Sequence, residues 1–218
     1  MMGVTQAAGL SLRWFRDVLA SSVSGKNEEA YTRMTARAST VPPGADGLLW
    51  APYLMGERTP HLDAEARGVL VGLTASHGQA HIVRAILEGV AFSLKDTFTI
   101  FGEMNVPVKR IRLGGGGARP SLWRQIQADV YGHEVEILEA EEGAAYGAAI
   151  LAGVGAKMWP SVPAGCASAV RVTERVRPIS ANVAAMNTNY ARYRQIYPAM
   201  KSIFDARLAN ERKRLEEL

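Results

Sequence analysis

Between Ile111 and Val130 the chain passes from a short apolar run through four consecutive glycines, Gly114 to Gly117, into a segment that reads as a helix from Ser121. No other stretch restricts the fold as much. A glycine run forfeits conformational entropy and offers no side chain to pack, so it makes sense where backbone must approach another group closely. The pattern predicts a strand over 109–113 and a helix over 121–130. A strand–glycine–helix junction presents free backbone N–H groups at the positive end of a helix dipole, the arrangement that holds nucleotide phosphates. A tight packing turn is the competing explanation of the same glycines.

The remaining pattern alternates helix and strand without internal repeats. Leu12, Phe15, Val18 and Leu19 predict a helix over 11–19, and a second is expected over 27–38 with Asn27 as its cap. Val41 to Gly47 is turn chemistry, Leu48 to Trp50 a short buried strand, and residues 52–68 are irregular. A long helix is predicted over 79–101, a strand over 135–138, and a helix over 143–152 built almost wholly of Ala and Gly. Such small residues let another helix or backbone lie close. A C-terminal helix is expected from about 182, kinked or split at Pro198. Alternation argues for an α/β layered domain, and the low strand content for a helix-rich half of a larger α/β protein.

Several function classes fall away. The net charge of +4 is small for 218 residues, and the basic cluster 207–214 is interleaved with acids, so nucleic acid is not an expected partner. No run of about 18 apolar residues is present, so no membrane span is expected. Cys166 is the single cysteine, which excludes an intrachain disulfide and fits a reducing cytoplasm. The glycines do not form G-x-G-x-x-G, since Arg119 holds the sixth position, and no Walker A loop or Gly-x-Ser-x-Gly elbow occurs. His77 and His81 have the spacing of two zinc ligands, but Gly78 stands where a zinc protease needs Glu, and no metal site is assigned. The four tryptophans read as core packing.

Gly68 to Leu73, followed by His81-Ile82-Val83-Arg84-Ala85-Ile86-Leu87-Glu88, resembles the C-terminal signature of the FGGY carbohydrate kinases, members of the actin/hexokinase/Hsp70 superfamily. Pro52-Tyr53-Leu54-Met55-Gly56-Glu57-Arg58-Thr59-Pro60-His61 and the run from Gly115 to Val130 resemble the D-xylulose-phosphorylating branch of that family. The resemblance implies an actin-like (ribonuclease H-like) α/β ATPase domain, the second or C-terminal one only, over 1–204, with a helical tail over 205–218. A full member is roughly twice as long and has two such domains about a cleft. The resemblance places the catalytic aspartate, the first phosphate loop and most sugar contacts in the first domain, and the phosphate loop that opens the second before Met1. No catalytic residue is therefore assigned to this chain.

The residues that the resemblance carries over lie on the nucleotide side. Gly115, Gly116 and Gly117 match glycines lining the adenosine and phosphate pocket, and Ser121 matches a polar residue near the adenine. Gly9 and Arg13 match positions that contact ATP in related glycerol kinases, Arg13 replacing a glutamine. The Ala/Gly helix matches a connecting helix near the domain hinge. ATP or ADP and Mg2+ are the implied ligands of the complete enzyme, with transfer to D-xylulose giving D-xylulose 5-phosphate. Alone, the chain is expected to bind nucleotide weakly and to be inactive. Another FGGY sugar (ribulose, gluconate, fuculose or glycerol) and a non-catalytic nucleotide-binding module remain as alternatives, and an uncovered domain face makes a homodimer plausible. Glu57, Arg58 and His61 read either as sugar ligands or, preferably, as a surface loop held by local ion pairs.

Overall fold

A computed structural model describes residues 2–20, 28–115, 118–140 and 143–216, with side chains through residue 206. In these residues the chain runs α1 (Ala8–Val18), α2 (Glu28–Ala38), a 3-10 turn (Ala45–Gly47), β1 (Leu49–Ala51), β2 (Val69–Val71), α3 (Gln79–Glu103) and β3 (Ile111–Leu113). It continues through α4 (Ser121–Tyr131), β4 (Val135–Leu138), α5 (Gly143–Gly155), α6 (Val162–Ala169), β5 (Val172–Val176), α7 (Ser180–Tyr193) and α8 (Ile196–Glu216). Strands β1 and β2 pair antiparallel with Trp50 opposite Leu70. The second sheet has the order β3-β4-β5, parallel then antiparallel, with Ile111 opposite Val135. Helix α4 is the crossover between the parallel strands, as such a pair requires.

Helix α3 is the spine. It leaves the extended residue Gly78, whose N–H donates to His81 Nδ1 at 3.1 Å. Val83, Ile86, Leu87, Val90 and Phe92 are buried along it. Gly89 is where β1 crosses: a Cβ there would lie 2.0 Å from the Trp50 carbonyl oxygen. The helix and strand backbones touch, which any side chain would forbid. One turn away, Arg84 Nε donates to Glu88 Oε1 at 2.6 Å, and that oxygen also accepts the Gly44 N–H at 3.0 Å. Arg84 reaches the Val41 carbonyl at 3.2 Å, so this buried pair fixes the 41–44 turn to α3. Burial raises the Glu88 carboxyl above its ordinary range, with Arg84 opposing.

Helix α4 ends at Gly132 in the left-handed region (φ 67°), its N–H closing on the Ala128 carbonyl. From α4, buried Asp129 accepts the Ile179 N–H and the Asn182 amide, each at 2.8 Å, and so holds the start of α7. The predicted split near Pro198 occurs between Tyr193 and Ile196. Pro198 then falls in the first turn of α8, where its missing N–H costs no helix bond. Helix α5 uses its small residues against Trp159: a Cβ on Gly153 would meet that ring at 2.6 Å, and a Cβ on Gly165 of α6 would meet the same ring at 3.1 Å. Within α5 only Ile150 is buried. The expected cap Asn27 lies outside the described residues.

Replacing Gly89 with alanine forces α3 and β1 apart. We expect Gly89→Ala to lose about 3 kcal/mol or more in urea unfolding, at the upper end of overpacking costs. A loss below about 1 kcal/mol would mean that this contact does not set the packing.

Candidate functional site

Helices α1 and α2 lie on one side of α3 and the start of α4 on another, leaving an open cavity of about 1370 Å³. Its floor is apolar, from Ile86, Leu87 and Val90 of α3. Gly9 and Leu12 of α1, and Tyr31 of α2, form one wall. The opposite wall is the first turn of α4, Pro120 to Arg124.

That wall has the electrostatics of a helix start. Pro120 is the N-cap, in extended geometry, and the Arg124 N–H makes the bond back to the Pro120 carbonyl at 3.2 Å. The amides of Ser121, Leu122 and Trp123 thus precede the helical ladder and bring the positive end of the helix to the cavity. At the mouth Arg119 and Glu28 form an ion pair between the loop and α2. An apolar floor wide enough for a planar ring, beside the amides of a helix's first turn, suits a ligand with an aromatic base at one end and anionic groups at the other.

The residues expected at a nucleotide site divide into three groups. Gly9 and Ser121, more than a hundred positions apart in the chain, both line this cavity. Arg13, exposed one turn beyond Gly9 on α1, is not a lining residue. Gly115 leaves β3 in the left-handed region (φ 74°) and accepts the Ala118 N–H at 3.0 Å, so it sets the bend that leads to α4 without lining the cavity. Its Cβ would meet nothing within 4 Å; the requirement for glycine is conformational. Gly116 and Gly117 lie outside the described residues. Among the described residues no cluster of three His, Cys, Asp or Glu side chains is arranged to hold a metal ion. His77 and His81 are used locally, His77 Nδ1 accepting the Thr74 N–H at 2.9 Å and His81 Nε2 lying 3.2 Å from Asp46.

A second polar group lies behind α3. The sequence reading of Glu57 as part of a surface loop is overturned, because its residue is 3% exposed. Its neighbours cover it rather than pair with it: the carboxylate accepts backbone N–H groups of Gln6 and Arg58. The signal, a Gly-Glu-Arg run between Met55 and Thr59, is identical for an exposed and a buried acid. His61 is half-buried and stacks on Tyr197 with ring centroids 3.6 Å apart. Burial lowers it to about 4, against the opposing pull of Asp63. Buried Asp96 accepts the Tyr190 hydroxyl at 2.6 Å, and burial pushes its carboxyl up to about 6. Tyr53 and Tyr193 share a hydrogen bond of 3.0 Å next to it.

Comparison with known proteins places the chain. Residues 1–156 match the sequence profile of the FGGY family of carbohydrate kinases, C-terminal domain. Over 202 residues the chain is 38% identical to a xylulose kinase of Bacillus subtilis, covering 93% of this chain and 39% of that protein. It is 42% identical over 154 residues to a gluconokinase of the same organism, covering 68% of this chain and 30% of the relative. The crystal structure of xylulose kinase from Rhodospirillum rubrum superposes with a TM-score of 0.81 at 30% identity, over 93% of this chain and 40% of that one. The chain belongs to the FGGY family of carbohydrate kinases, ATP-dependent sugar kinases of the actin-like ATPase superfamily, and has the helix-rich α/β fold of their C-terminal domain. It spans about two-fifths of the length of the xylulose kinases it matches.

The raised Asp96 gives a pH prediction. A carboxyl raised from 3.8 to about 6 in the folded state adds stability that is complete below pH 3.8 and lost as pH rises through 6. In Asp96→Asn the amide oxygen still accepts from Tyr190 and nothing titrates. The variant should therefore gain stability relative to the parent as pH rises from 4 to 7, by up to about 2–3 kcal/mol. His61, with the opposite sign, is common to both proteins and drops out of the difference. A pH-independent difference in urea unfolding would contradict the assignment.

Proposed function

We propose that this chain is the nucleotide-side domain of an ATP-dependent sugar kinase, with D-xylulose as the acceptor. The observation that carries the reading is the convergence of Gly9 and Ser121 on one cavity beside the amide-lined start of α4. In this reading the adenine lies over the apolar floor made by α3, next to Gly9 and Ser121. The phosphates run toward the turn at Gly115, whose left-handed backbone redirects the chain. The site thereby orients the γ-phosphoryl group toward a sugar hydroxyl and excludes water from the base. Mg2+ would accompany the nucleotide and neutralise phosphate charge, since this ion is held chiefly by substrate phosphates and few carboxylates.

The proton acceptor for the sugar hydroxyl is proposed to belong to the family's first domain, and residues 1–204 to act as the second. The preference for D-xylulose is supported by the 93% coverage of the xylulose kinase match. The higher identity to gluconokinase, over a shorter stretch, favours gluconate as the second candidate.

Two measurements test this on the 218-residue chain. A fluorescent ADP analogue should bind and be displaced by ADP. Incubation with MgATP and D-xylulose, or with gluconate, should release no ADP above background. Sugar-dependent turnover at ordinary kinase rates of roughly 1–100 per second would contradict the assignment of the base to another domain. Failure of any adenine nucleotide to bind would contradict the reading itself.

A further inference from the structure

The Gly56-Glu57-Arg58-Thr59-Pro60 motif has no part in the cavity, yet Glu57 is among the most buried acids of the chain. Its Oε1 accepts the N–H of Gln6 at 3.1 Å and of Arg58 at 2.7 Å, and its Oε2 accepts the Ser93 hydroxyl at 3.4 Å. Thr59 repeats the grip two residues on. Its Oγ1 accepts the Val4 N–H at 3.1 Å, and its own N–H donates to the Val4 carbonyl at 3.0 Å. Gly3 lies so close to Thr97 of α3 that a Cβ would come within 2.2 Å of that side chain. Residues 3–6 are thus strapped between the 57–59 loop and α3.

The strap leads directly into the cavity wall. Ala7 is the N-cap of α1 and offers no side-chain cap, and Ala8 and Gly9 line the cavity. With no side-chain cap, the start of α1 is held by the segment that enters it and by Ser11, whose hydroxyl donates to the Ala7 carbonyl at 2.8 Å. Further along, α1 is anchored independently: Phe15 is buried, Trp14 stacks on Trp50 at 5.6 Å, and Trp50 Nε1 donates to Ser11 Oγ at 3.3 Å. Loss of the strap should therefore loosen the first turn and leave the rest of the helix in place.

We propose that Glu57 is a positioning residue for the cavity: by holding residues 3–6 it fixes the first turn of α1, where Gly9 meets the ligand. This rests on the nucleotide reading above. Glu57 touches no ligand in this arrangement. It acts through the Gln6 amide, and Thr59 acts in the same way through Val4. The role needs an acceptor at Oε1 aimed at two N–H groups, which a glutamine oxygen also supplies and an alanine does not.

The test is titration of the full chain and its variants with a fluorescent ADP analogue, combined with amide hydrogen exchange. Glu57→Ala should raise the dissociation constant about fivefold or more, through loss of a charge-assisted acceptor for two amides. Amides of residues 6–10 should exchange faster in that variant, while those of α4 and β4 keep their protection. Glu57→Gln should recover most of the affinity. Thr59→Val, which removes only the acceptor for Val4, should shift both readouts the same way by a smaller factor. If Glu57→Ala does not fold, the Gln and Val variants carry the test: affinity equal to the parent in Thr59→Val overturns the proposal. With folded Glu57→Ala, a dissociation constant within about twofold of the parent overturns it even if thermal stability falls. If the parent chain binds no analogue, the nucleotide reading fails and this proposal falls with it. If the parent and the variants bind equally, only the role of Glu57 fails.

Discussion

The contact between the Trp50 carbonyl and α3 at Gly89 sets the depth at which the rest of the domain packs. The same stretch of α3 carries Ile86, Leu87 and Val90, which form the cavity floor. One side of the helix is therefore fixed by backbone contact with a strand, while another is left open between α1, α2 and α4. The long helix orders the site because it touches elements from both ends of the chain. The bend at Gly115 then delivers the start of α4 to the edge of that opening.

Buried carboxylates serve a common purpose in this fold. Glu57 accepts amides of Gln6 and Arg58, Glu88 that of Gly44, and Asp129 that of Ile179. Each acceptor lies on one segment and meets backbone from a distant one at a place where no sheet or helix partner is available. A buried N–H left without an acceptor is costly, and hydrogen bonds to a charged acceptor are stronger than neutral ones, so these clamps offset the desolvation of the acid. Ion pairs on the sheet face work differently: Arg112 and Arg175 flank Glu136 across three strands and are partly exposed, so they favour register more than stability.

Much of this is legible in the sequence, for identifiable reasons. Helix α3, helix α4 and strand β4 follow long or sharply bounded apolar patterns, and β4 falls on the expected residues. Helix α1 begins three residues before its expected start, because Ala7 gives no capping signal and the entering strap fixes the turn instead. Strand β5 carries no apolar alternation to reveal it: its Thr173-Glu174-Arg175 centre is polar, since Glu174 pairs with Arg124, and Arg175 with Glu134 and Glu136, at a sheet edge. Helix α6 hides behind Pro163, which sits in its first turn where proline is tolerated. The cavity has no local pattern at all, since its walls come from four helices. Only the family resemblance brings Gly9 and Ser121 together in advance of the fold. The role of Glu57 is invisible in sequence because burial by a segment 51 residues away leaves no local mark.

An adenine nucleotide is proposed to rest on the floor of α3 between the first turns of α1 and α4. Backbone amide NMR of the chain titrated with ADP tests it most directly. Shift changes are expected to concentrate at Gly9, Leu12 and Ser121 to Trp123, with α5, α6 and β5 unmoved. Changes clustered elsewhere, or none at millimolar ADP, would contradict it.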